Sequence, residues 1–231
     1  MKEYQTKNIR NIGLVSHSNA GKTSLIEAIL FNSGTLDKMG SVDQGTSASD
    51  HADDEIERKI TINCSICVAE WEDHKLNLID SPGADDFYGD LESVLRVVDG
   101  VIVIVDATTG IEGGTEKVWE IIEKYNLPAT VFINKMDKEN ANFADTLDSV
   151  KNTLEVSIAT TQLPIGRESD FSGVVDIIQM ESSLKPNGRE PHPDSDIPAD
   201  MEDDVEETRE ELIEVVDRKS TRLNSSHVLI S

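Results

Sequence analysis

The sequence predicts an α/β protein with a mostly parallel sheet and helices on both of its faces. Short β-type runs alternate with helical patterns along the first 160 residues, which is typical of a parallel sheet. Residues 101–105 are continuously apolar and 130–133 nearly so, as in strands that are buried on both faces. Because such sheets bind ligands at the carboxyl ends of their strands, we expect the functional residues to follow the strands.

The composition restricts the class of protein. The chain has 231 residues, of which 37% are hydrophobic, so it can form one large domain, or one domain and part of a second. Two cysteines cannot form a disulfide framework. Residues 1–10 are polar, and the longest apolar run, 101–105, is too short to span a bilayer. We therefore expect a soluble, cytoplasmic protein with no membrane contact.

The charge excludes one class of partner. The chain has 21 basic and 45 acidic residues, a net charge of −24. Nucleic-acid binding requires clustered Lys and Arg side chains that face the phosphates. We therefore expect no direct nucleic-acid binding, and we expect basic proteins to be the partners if the chain acts on an RNA machine.

The first elements follow from periodicity and turn signals. Residues 9–15 form a β-type run, and apolar residues at helical spacing follow it, namely Leu25, Ile26, Ile29 and Leu30. Residues 34–57 are polar, with Gly, Ser and Asp throughout, which predicts a long loop. Residues 61–71 and 75–79 predict two strands that are joined tightly at 72–74.

The remaining elements continue the alternation and then change in character. Strands are predicted at 101–105 and 130–133, with a helix at 115–125 between them and another helix at 143–154. Beyond residue 163 we expect a separate hairpin or strand at 171–180 and then a Pro-rich linker. A final helix at 199–216 has one apolar side, which consists of Met201, Val205, Leu212 and Val215.

The last 15 residues break the pattern of the acidic helix before them. Residues 217–227 resemble the translated read-through of a sequencing adapter, and such segments do not enter fold reasoning. The alternative is a natural polar tail. We expect residues 217–231 to be non-native and the natural chain to continue past Val216.

The motif Ser16-x-x-x-x-Gly21-Lys22-Thr23 matches a phosphate-binding loop with Ser in place of the usual first Gly. Its backbone N–H groups would surround a phosphate at a helix N-terminus, where the helix dipole favours anions. Lys22 would reach the β- and γ-phosphates as a catalytic residue, and the Thr23 hydroxyl would bind Mg²⁺. The predicted nucleotide-binding residues of this loop are Ser16, His17, Ser18, Asn19, Ala20, Gly21, Lys22, Thr23 and Ser24.

A second motif, Asp80-Ser81-Pro82-Gly83, ends the predicted strand at 75–79. The Asp80 carboxylate can hold Mg²⁺ through water, and the Gly83 N–H can contact a γ-phosphate. The alternative is a simple Pro-Gly turn. Thr61 lies where the long loop re-enters the sheet, so its hydroxyl can complete the magnesium shell when a γ-phosphate is present, which would make the loop a switch. The alternative for Thr61 is a β-branched residue that begins a strand.

The third motif, Asn134-Lys135-Met136-Asp137, ends another apolar strand. The Asp137 carboxylate can accept hydrogen bonds from both N1–H and the 2-amino group of guanine, a pair of donors that adenine lacks. Asn134 can bind the base edge, and the Lys135 stem can lie over the purine. The alternative is a polar helix N-terminus with Asp137 as its cap. Because three such motifs occur in this order at strand ends, we predict a guanine-nucleotide-binding domain over residues 1–160.

Two further features allow both an ordinary and a functional interpretation. Cys64-x-x-Cys67 has zinc-like spacing, but residues three apart on a strand point to opposite faces, so we interpret the pair as two buried thiols. The final helix lies in a stretch with nine acidic residues between Asp200 and Glu214. A solvated helix face is the default for such a stretch, and docking of a basic protein is the alternative.

These motifs give the chain a resemblance, from about Asn8 to Val216, to translational GTPases of the elongation factor G family. The supporting strings are Asn11-Ile-Gly13, His17-Ser-Asn-Ala-Gly-Lys-Thr23, Phe31-Asn-Ser-Gly34, Ile60-Thr-Ile62, Asp80-Ser-Pro-Gly83, Leu95-Arg-Val-Val-Asp-Gly100, Asn134-Lys-Met-Asp137, Gln162-Leu-Pro-Ile-Gly166 and Phe171-x-Gly-Val-Val-Asp176. The segments Glu55-Ile-Glu-Arg-Lys-Ile-Thr61 and Gly114-Thr-Glu-Lys-Val-Trp119 look most like divergent elongation factor G-like paralogues, with ribosome-protection factors a close second.

The resemblance implies a P-loop GTPase fold with the start of an inserted α+β subdomain at 161–216. It implies GTP/GDP and Mg²⁺ as ligands, and a ribosome-associated elongation factor that hydrolyses GTP. It also makes the acidic helix of the insert a dock for the basic ribosomal stalk protein. A function of another class stays open: a GTP-gated switch that remodels or protects the ribosome with little hydrolysis of its own.

Two residues of the motifs depart from the family pattern. Ala84 follows Asp-x-x-Gly, where translational GTPases normally have a His that orients the attacking water, so we expect slow hydrolysis. Asn19 stands where many of these GTPases have Asp, and its side-chain carbonyl is a candidate ligand for K⁺.

Overall fold

The structure is a computed structural model that describes residues 2–42, 44–49, 61, 64–82, 88–184, 196–220 and 228–230. The chain divides into two compact units. The first comprises Met1–Ile104 and Glu112–Pro128, and the second comprises Val105–Ile111 and Ala129–Ser231.

The first unit contains most of a parallel sheet. Its described residues form, in chain order, β1 (Ile9–Val15), α1 (Lys22–Asn32), β2 (Ser65–Trp71), β3 (His74–Asp80), α2 (Tyr88–Leu95), β4 (Gly100–Asp106, the end of which enters the second unit) and α3 (Gly113–Lys124). The strand order is β2-β3-β1-β4, with β1 parallel to β3 and β4, and β2 antiparallel to β3. In this register Leu14 is opposite Asp80. The segments that follow β1 and β3 therefore leave the sheet at the same edge.

The core of this unit follows from the apolar runs that the sequence shows. The fully buried apolar side chains of its strands include Leu14, Val15, Val103 and Ile104, none of which is solvent-exposed. Ile26 and Leu30 are one helical turn apart on α1 and are both buried. The apolar side of α1 therefore faces the interior, and its first residue, Lys22, directly follows the loop after β1.

The second unit contains two groups of strands. Its described elements are β5 (Ala129–Asn134), α4 (Phe143–Leu154), β6 (Ile158–Thr160), β7 (Gln162–Ile165), β8 (Gly173–Asp176), β9 (Glu181–Leu184), α5 (Glu202–Ser220) and β10 (Val228–Ile230). β10 pairs in parallel with both β5 and β6, and β7, β8 and β9 form an antiparallel sheet. A small apolar cluster of Val175, Ile177 and Val205 packs against Met201 and Leu212 of the α5 segment. Three of the four residues of the predicted apolar side, Met201, Val205 and Leu212, thus pack with Val175 of β8 and with Ile177.

The predicted alternation of strands and helices is confirmed, with differences at particular elements. Helix α2 and strands β6, β7 and β9 lack a strong periodic signal and are not among the predicted elements. The strand predicted at 61–71 begins at Ser65, and the segment 171–180 contains β8 and a turn that leads to β9 rather than one hairpin. Residues 34–42 and 44–49 form no helix or strand, and the rest of the predicted loop lies outside the described residues, as does the linker at 185–195.

The end of the chain also differs from expectation. Helix α5 continues to Ser220, four residues past the predicted end at Val216, because Asp217-Arg-Lys-Ser contains no Gly or Pro to end it. Residues 228–230, which the sequence analysis sets aside as tail, form β10 between β5 and β6. Val, Leu and Ile have high β-propensity or apolarity, and β5 and β6 each offer a parallel main-chain edge to them.

Candidate guanine-nucleotide site

The loop between β1 and α1 is closed around the ammonium group of Lys22. Lys22 Nζ donates hydrogen bonds to Ser16 Oγ at 3.0 Å and to the His17 carbonyl at 3.5 Å, and Ser16 Oγ donates to the same carbonyl at 2.6 Å. Gly21 has φ = +104°, which a residue with a Cβ adopts only with strain. Ser16, which stands where phosphate-binding loops usually have Gly, thus accepts a hydrogen bond from the ammonium group of Lys22.

The hydroxyls of Thr23 and Thr61 and the carboxylate of Asp80 lie together. Thr23 Oγ1 is 3.1 Å from Thr61 Oγ1 and donates to Asp80 Oδ2 at 3.1 Å. All three residues are buried, with Asp80 fully so. Hydroxyl and carboxylate oxygens are the hard ligands that Mg²⁺ prefers. The donor set therefore fits the predicted magnesium site.

The β1–β3 register brings this cluster to the loop. Asp80 is the last residue of β3, and Ser81 Oγ donates to the Leu14 carbonyl at 2.8 Å. Ser81 is thus held against the end of β1, and the buried Pro82 follows it. The predicted site residues Gly83 and Ala84 lie outside the described residues.

The imidazole of His17 connects the loop to the start of α3. Its Nδ1 lies 3.4 Å from Thr115 Oγ1, and its Nε2 lies 3.4 Å from Glu112 Oε1. His17 and Thr115 are buried. His17 is predictable as part of the loop, but Glu112 and Thr115 are not, because a pairing such as that of His17 with Thr115, 98 positions apart, leaves no local pattern.

A buried carboxylate on α1 holds the segment that leads toward Thr61. Glu27 is 1% exposed. Its Oε2 accepts from the Gly40 N–H at 2.8 Å, and its Oε1 accepts from the Ser47 hydroxyl at 3.2 Å and from the Ala48 N–H. This attachment was not predicted for the loop at 34–57, although a Glu one turn after Thr23 on the apolar side of a helix is a signal.

The predicted base-recognition motif follows β5 in the second unit. Asn134 is the last residue of β5, Lys135 has a left-handed backbone with φ = +62°, and the Asp137 side chain is about half exposed. The next helix, α4, begins at Phe143 and is capped by Asn142, whose side chain accepts from the Asp145 N–H. The interpretation of Asp137 as a helix cap is therefore wrong, and its carboxylate is accessible from solvent. Met136 is buried beneath this turn.

Lys135 forms an ion pair that the sequence did not indicate. Its Nζ lies 2.6 Å from Oδ2 of Asp106 at the end of β4, and Asp106 Oδ1 accepts from the Thr108 N–H at 2.9 Å and the Thr108 hydroxyl at 2.7 Å. Burial raises the pKa of Asp106, but the hydrogen bonds from Lys135 and Thr108 outweigh it, so the pKa lies below the usual value. The sequence does offer one signal for Asp106, though none for its partner: a carboxylate that directly follows the apolar run 101–105.

The two cysteines and the acidic residues of the last helix are the other features that the sequence singles out. Cys64 is exposed and Cys67 is half-buried, so the interpretation as two buried thiols is wrong for Cys64, which precedes β2 rather than lying within the sheet. The acidic residues of α5 are exposed along the helix, namely Glu202, Asp203, Asp204, Glu206, Glu207, Glu210, Glu211 and Glu214. Among the described residues no helix is long and apolar enough to cross a membrane.

Comparisons with known proteins show the family to which the chain belongs. Residues 7–222 match the family model of the elongation factor Tu GTP-binding domain. The chain is 44% identical over 220 residues to elongation factor G of Petrotoga mobilis, which covers 94% of this chain and 32% of that protein. It thus spans about a third of that relative's length. A crystal structure of a protein from Thermus thermophilus has the same fold, with a TM-score of 0.85 at 24% identity over 96% of this chain and 37% of the other. The chain belongs to the family of elongation factor Tu GTP-binding domains, the P-loop domains of translational GTPases.

Proposed function

We propose that this chain binds GTP and GDP with Mg²⁺ and hydrolyses GTP as the G domain of a ribosome-associated elongation factor similar to elongation factor G. One observation carries the proposal: Thr23, Thr61 and Asp80, each from a different motif, have side-chain oxygens linked by contacts of 3.1 Å beside a loop that holds a buried Lys. Because the chain belongs to a family of GTP-binding domains, GTP with Mg²⁺ is the ligand that we propose for this cluster.

In this proposal the phosphates bind to the backbone N–H groups of residues 16–24. Lys22 exchanges its contacts with Ser16 and the His17 carbonyl for the β- and γ-phosphates, and it acts as a catalytic residue together with Thr61 and Gly83. Thr23, Thr61 and Asp80 would hold Mg²⁺, which when bound neutralises charge on the phosphates. Because the transfer depends on positioning and charge stabilisation, these residues act mainly by orientation.

Base selection belongs to Asn134, Lys135, Met136 and Asp137 in this proposal. The test is an exchange of Asp137→Asn, which converts a double acceptor into a group that can donate to the 2-oxo group of xanthine. We expect the affinity for GDP to fall at least tenfold, about 1.4 kcal/mol, and the affinity for xanthosine diphosphate to rise. Asp148→Asn, at an exposed position on α4, is the matched control. Absence of GDP binding by the wild type, or equal GDP affinity of Asp137→Asn and wild type, would refute the proposal.

A slow, GTP-gated switch that remodels or protects the ribosome is the second candidate. The observation that favours it is Ala84 in place of the family's His, because a methyl group cannot hydrogen-bond the attacking water. Without that group, hydrolysis should lie on the order of 10⁻⁴ to 10⁻² per second. Single-turnover hydrolysis with ribosomes distinguishes the two functions: a tenfold or greater gain in Ala84→His supports the switch, and fast wild-type turnover that Ala84→His leaves unchanged supports the elongation factor.

The ribosome is the partner we propose, in the cytoplasm, through basic ribosomal proteins that include the stalk protein. The exposed acidic residues of α5 support this, because carboxylates repel RNA phosphates, which have the same charge, and attract Lys and Arg side chains. Reversal of two neighbouring charges, Glu207→Lys with Glu211→Lys, should weaken binding of the basic stalk protein several-fold at low salt. Equal binding by the double variant and wild type would refute this docking surface.

K⁺ is a further proposed ligand, through the side-chain carbonyl of Asn19. Asn19 has a left-handed backbone with φ = +63° in the phosphate loop. A monovalent cation there would add positive charge where negative charge develops in the transition state. GTP turnover should be faster in K⁺ than in Na⁺ for wild type and equal in the two salts for Asn19→Ala. Equal wild-type rates would end this proposal.

A further inference from the structure

We propose that Asp106 is a positioning residue for base recognition: its ion pair with Lys135 fixes the ammonium so that the aliphatic stem of Lys135 is held for contact with the purine face. The inference rests on the proposed function, since it concerns the same guanine site. Asp106 belongs to none of the three motifs and lies 29 residues before Lys135.

The carboxylate of Asp106 is oriented before it meets Lys135. Asp106 is 5% exposed, and Thr108 donates both its N–H and its hydroxyl to Oδ1, at 2.9 and 2.7 Å. Two donors on one oxygen fix the plane of the carboxylate and leave the other oxygen, Oδ2, for Lys135 Nζ at 2.6 Å. Asp106 therefore offers an acceptor of fixed direction rather than a mobile surface charge.

The two oxygens of Asp106 have separable tasks. Oδ1 belongs to the turn at 106–110, which the Gly110 N–H also closes by donating to the Asp106 carbonyl at 2.8 Å. Oδ2 serves Lys135. The turn therefore has main-chain support that is independent of the ion pair, and a change at Oδ2 tests the contact with Lys135 alone.

Lys135 needs such a partner to hold one conformation. Its backbone is left-handed, which an L-residue adopts at a cost, and its side chain is 29% exposed. A Lys side chain is flexible about four bonds and loses rotamer freedom when it is held. With Nζ fixed, the four methylene groups form a short apolar rod, and the charge is neutralised away from the base. With the ammonium paired to Asp106, the methylene groups are the part of Lys135 that can pack on a purine face, and this arrangement favours the nucleotide.

The experiment compares variants of the 231-residue chain in the dissociation rate of fluorescently labelled GDP. Asp106→Asn keeps an acceptor for Thr108 and removes the charge that holds Lys135. Thr108→Val removes one hydrogen bond to Oδ1 and leaves the ion pair. We expect dissociation about tenfold faster in Asp106→Asn, since hydrogen bonds to charged groups are the stronger ones, and within about twofold of wild type in Thr108→Val.

A double-mutant cycle with Lys135→Met separates positioning from a structural role. Met keeps an unbranched apolar stem without the charge, so Asp106→Asn should add less than about twofold in that background. Thermal unfolding without nucleotide accompanies each variant. A merely structural Asp106 would give the same acceleration in both backgrounds, or equal effects of Asp106→Asn and Thr108→Val, and either result would overturn the inference.

The outcomes also separate this inference from the proposed function. If wild type binds GDP and Asp106→Asn dissociates at the wild-type rate, only the role of Asp106 is wrong. If wild type does not bind GDP, the proposed function is wrong and the role of Asp106 falls with it.

Discussion

Replacement of Glu27 by Ala should destabilise the protein more than any exposed substitution on its surface. The carboxylate of Glu27 is buried on α1 and accepts from the Gly40 N–H, the Ser47 hydroxyl and the Ala48 N–H. Ser47 is itself buried. Truncation at Glu27 therefore removes the acceptor of three donors at once and leaves a cavity where the side chain was.

The magnitude follows from opposing contributions. Hydrogen bonds to a charged group contribute about 1.5–3 kcal/mol each, but removal of the carboxylate also relieves the cost of keeping a charge away from water. The net loss should be about 3–5 kcal/mol, the usual cost of breaking a buried charged network. For a chain of this size that corresponds to a fall in Tm on the order of 10 °C. Glu27→Gln should cost roughly half as much, because its amide offers one acceptor and one wrongly placed donor.

Urea and thermal unfolding measure these losses, with Glu120→Ala as the matched control. Glu120 is exposed on α3, so its truncation should change the free energy of unfolding by less than about 0.5 kcal/mol. If Glu27→Ala unfolds within about 1 kcal/mol of the control, the carboxylate is hydrated in solution and the argument from its burial is wrong.

Three further predictions concern residues around this network and the site. Gly40→Ala should destabilise by at least about 1 kcal/mol, as measured in urea, because a Cβ there would lie 2.3 Å from the Thr46 carbonyl and 2.6 Å from Glu27 Oε2. The pKa of Asp106 is lowered from 3.8, so the ionised carboxylate stabilises the fold above that pH. This contribution is lost as the pH falls through the pKa of the folded state. Acid titration below about pH 4 should therefore destabilise wild type more than Asp106→Asn. His17→Asn should accelerate GDP release several-fold, and Glu112→Gln should not accelerate it further in the double variant. Additive effects of the two substitutions in stopped-flow measurements would show that His17 and Glu112 do not act through their contact with each other.

The parts of the fold that local patterns encode were predictable. The run at 9–15 and helix α4 were predicted to the residue, because a β-type run of seven residues or a periodic stretch of twelve carries its own signal. Strand β6 has three residues, which is too short for a period of two to be distinguished from a turn. Helix α2 lies between the second motif and β4 without a clear capping signal, and its formation depends on packing, so sequence alone did not separate it from the loop.

The candidate site divides in the same way. Thr23, Asp80 and Asp137 belong to motifs whose spacing is set by a single turn, so the sequence predicts each of them as a site residue. Glu27 and Asp106 serve groups that are distant along the chain, and nothing near them in the sequence marks a partner. The position of Glu27 on the apolar side of α1 is a signal of its burial, but the identity of the groups that bind its carboxylate is a property of the folded chain, which a periodicity argument does not contain.

The pairing of strand β10 restricts which residues its positions can carry. Its three residues are held between β5 and β6 by parallel main-chain pairing on both sides, so each position needs a main-chain N–H and a C=O that can pair. Substitutions among Val, Ile, Leu and Thr leave that backbone chemistry unchanged, whereas a proline removes a donor and breaks a ladder. Proline is therefore the substitution that we expect positions 228–230 to exclude, because their main chain pairs on both sides.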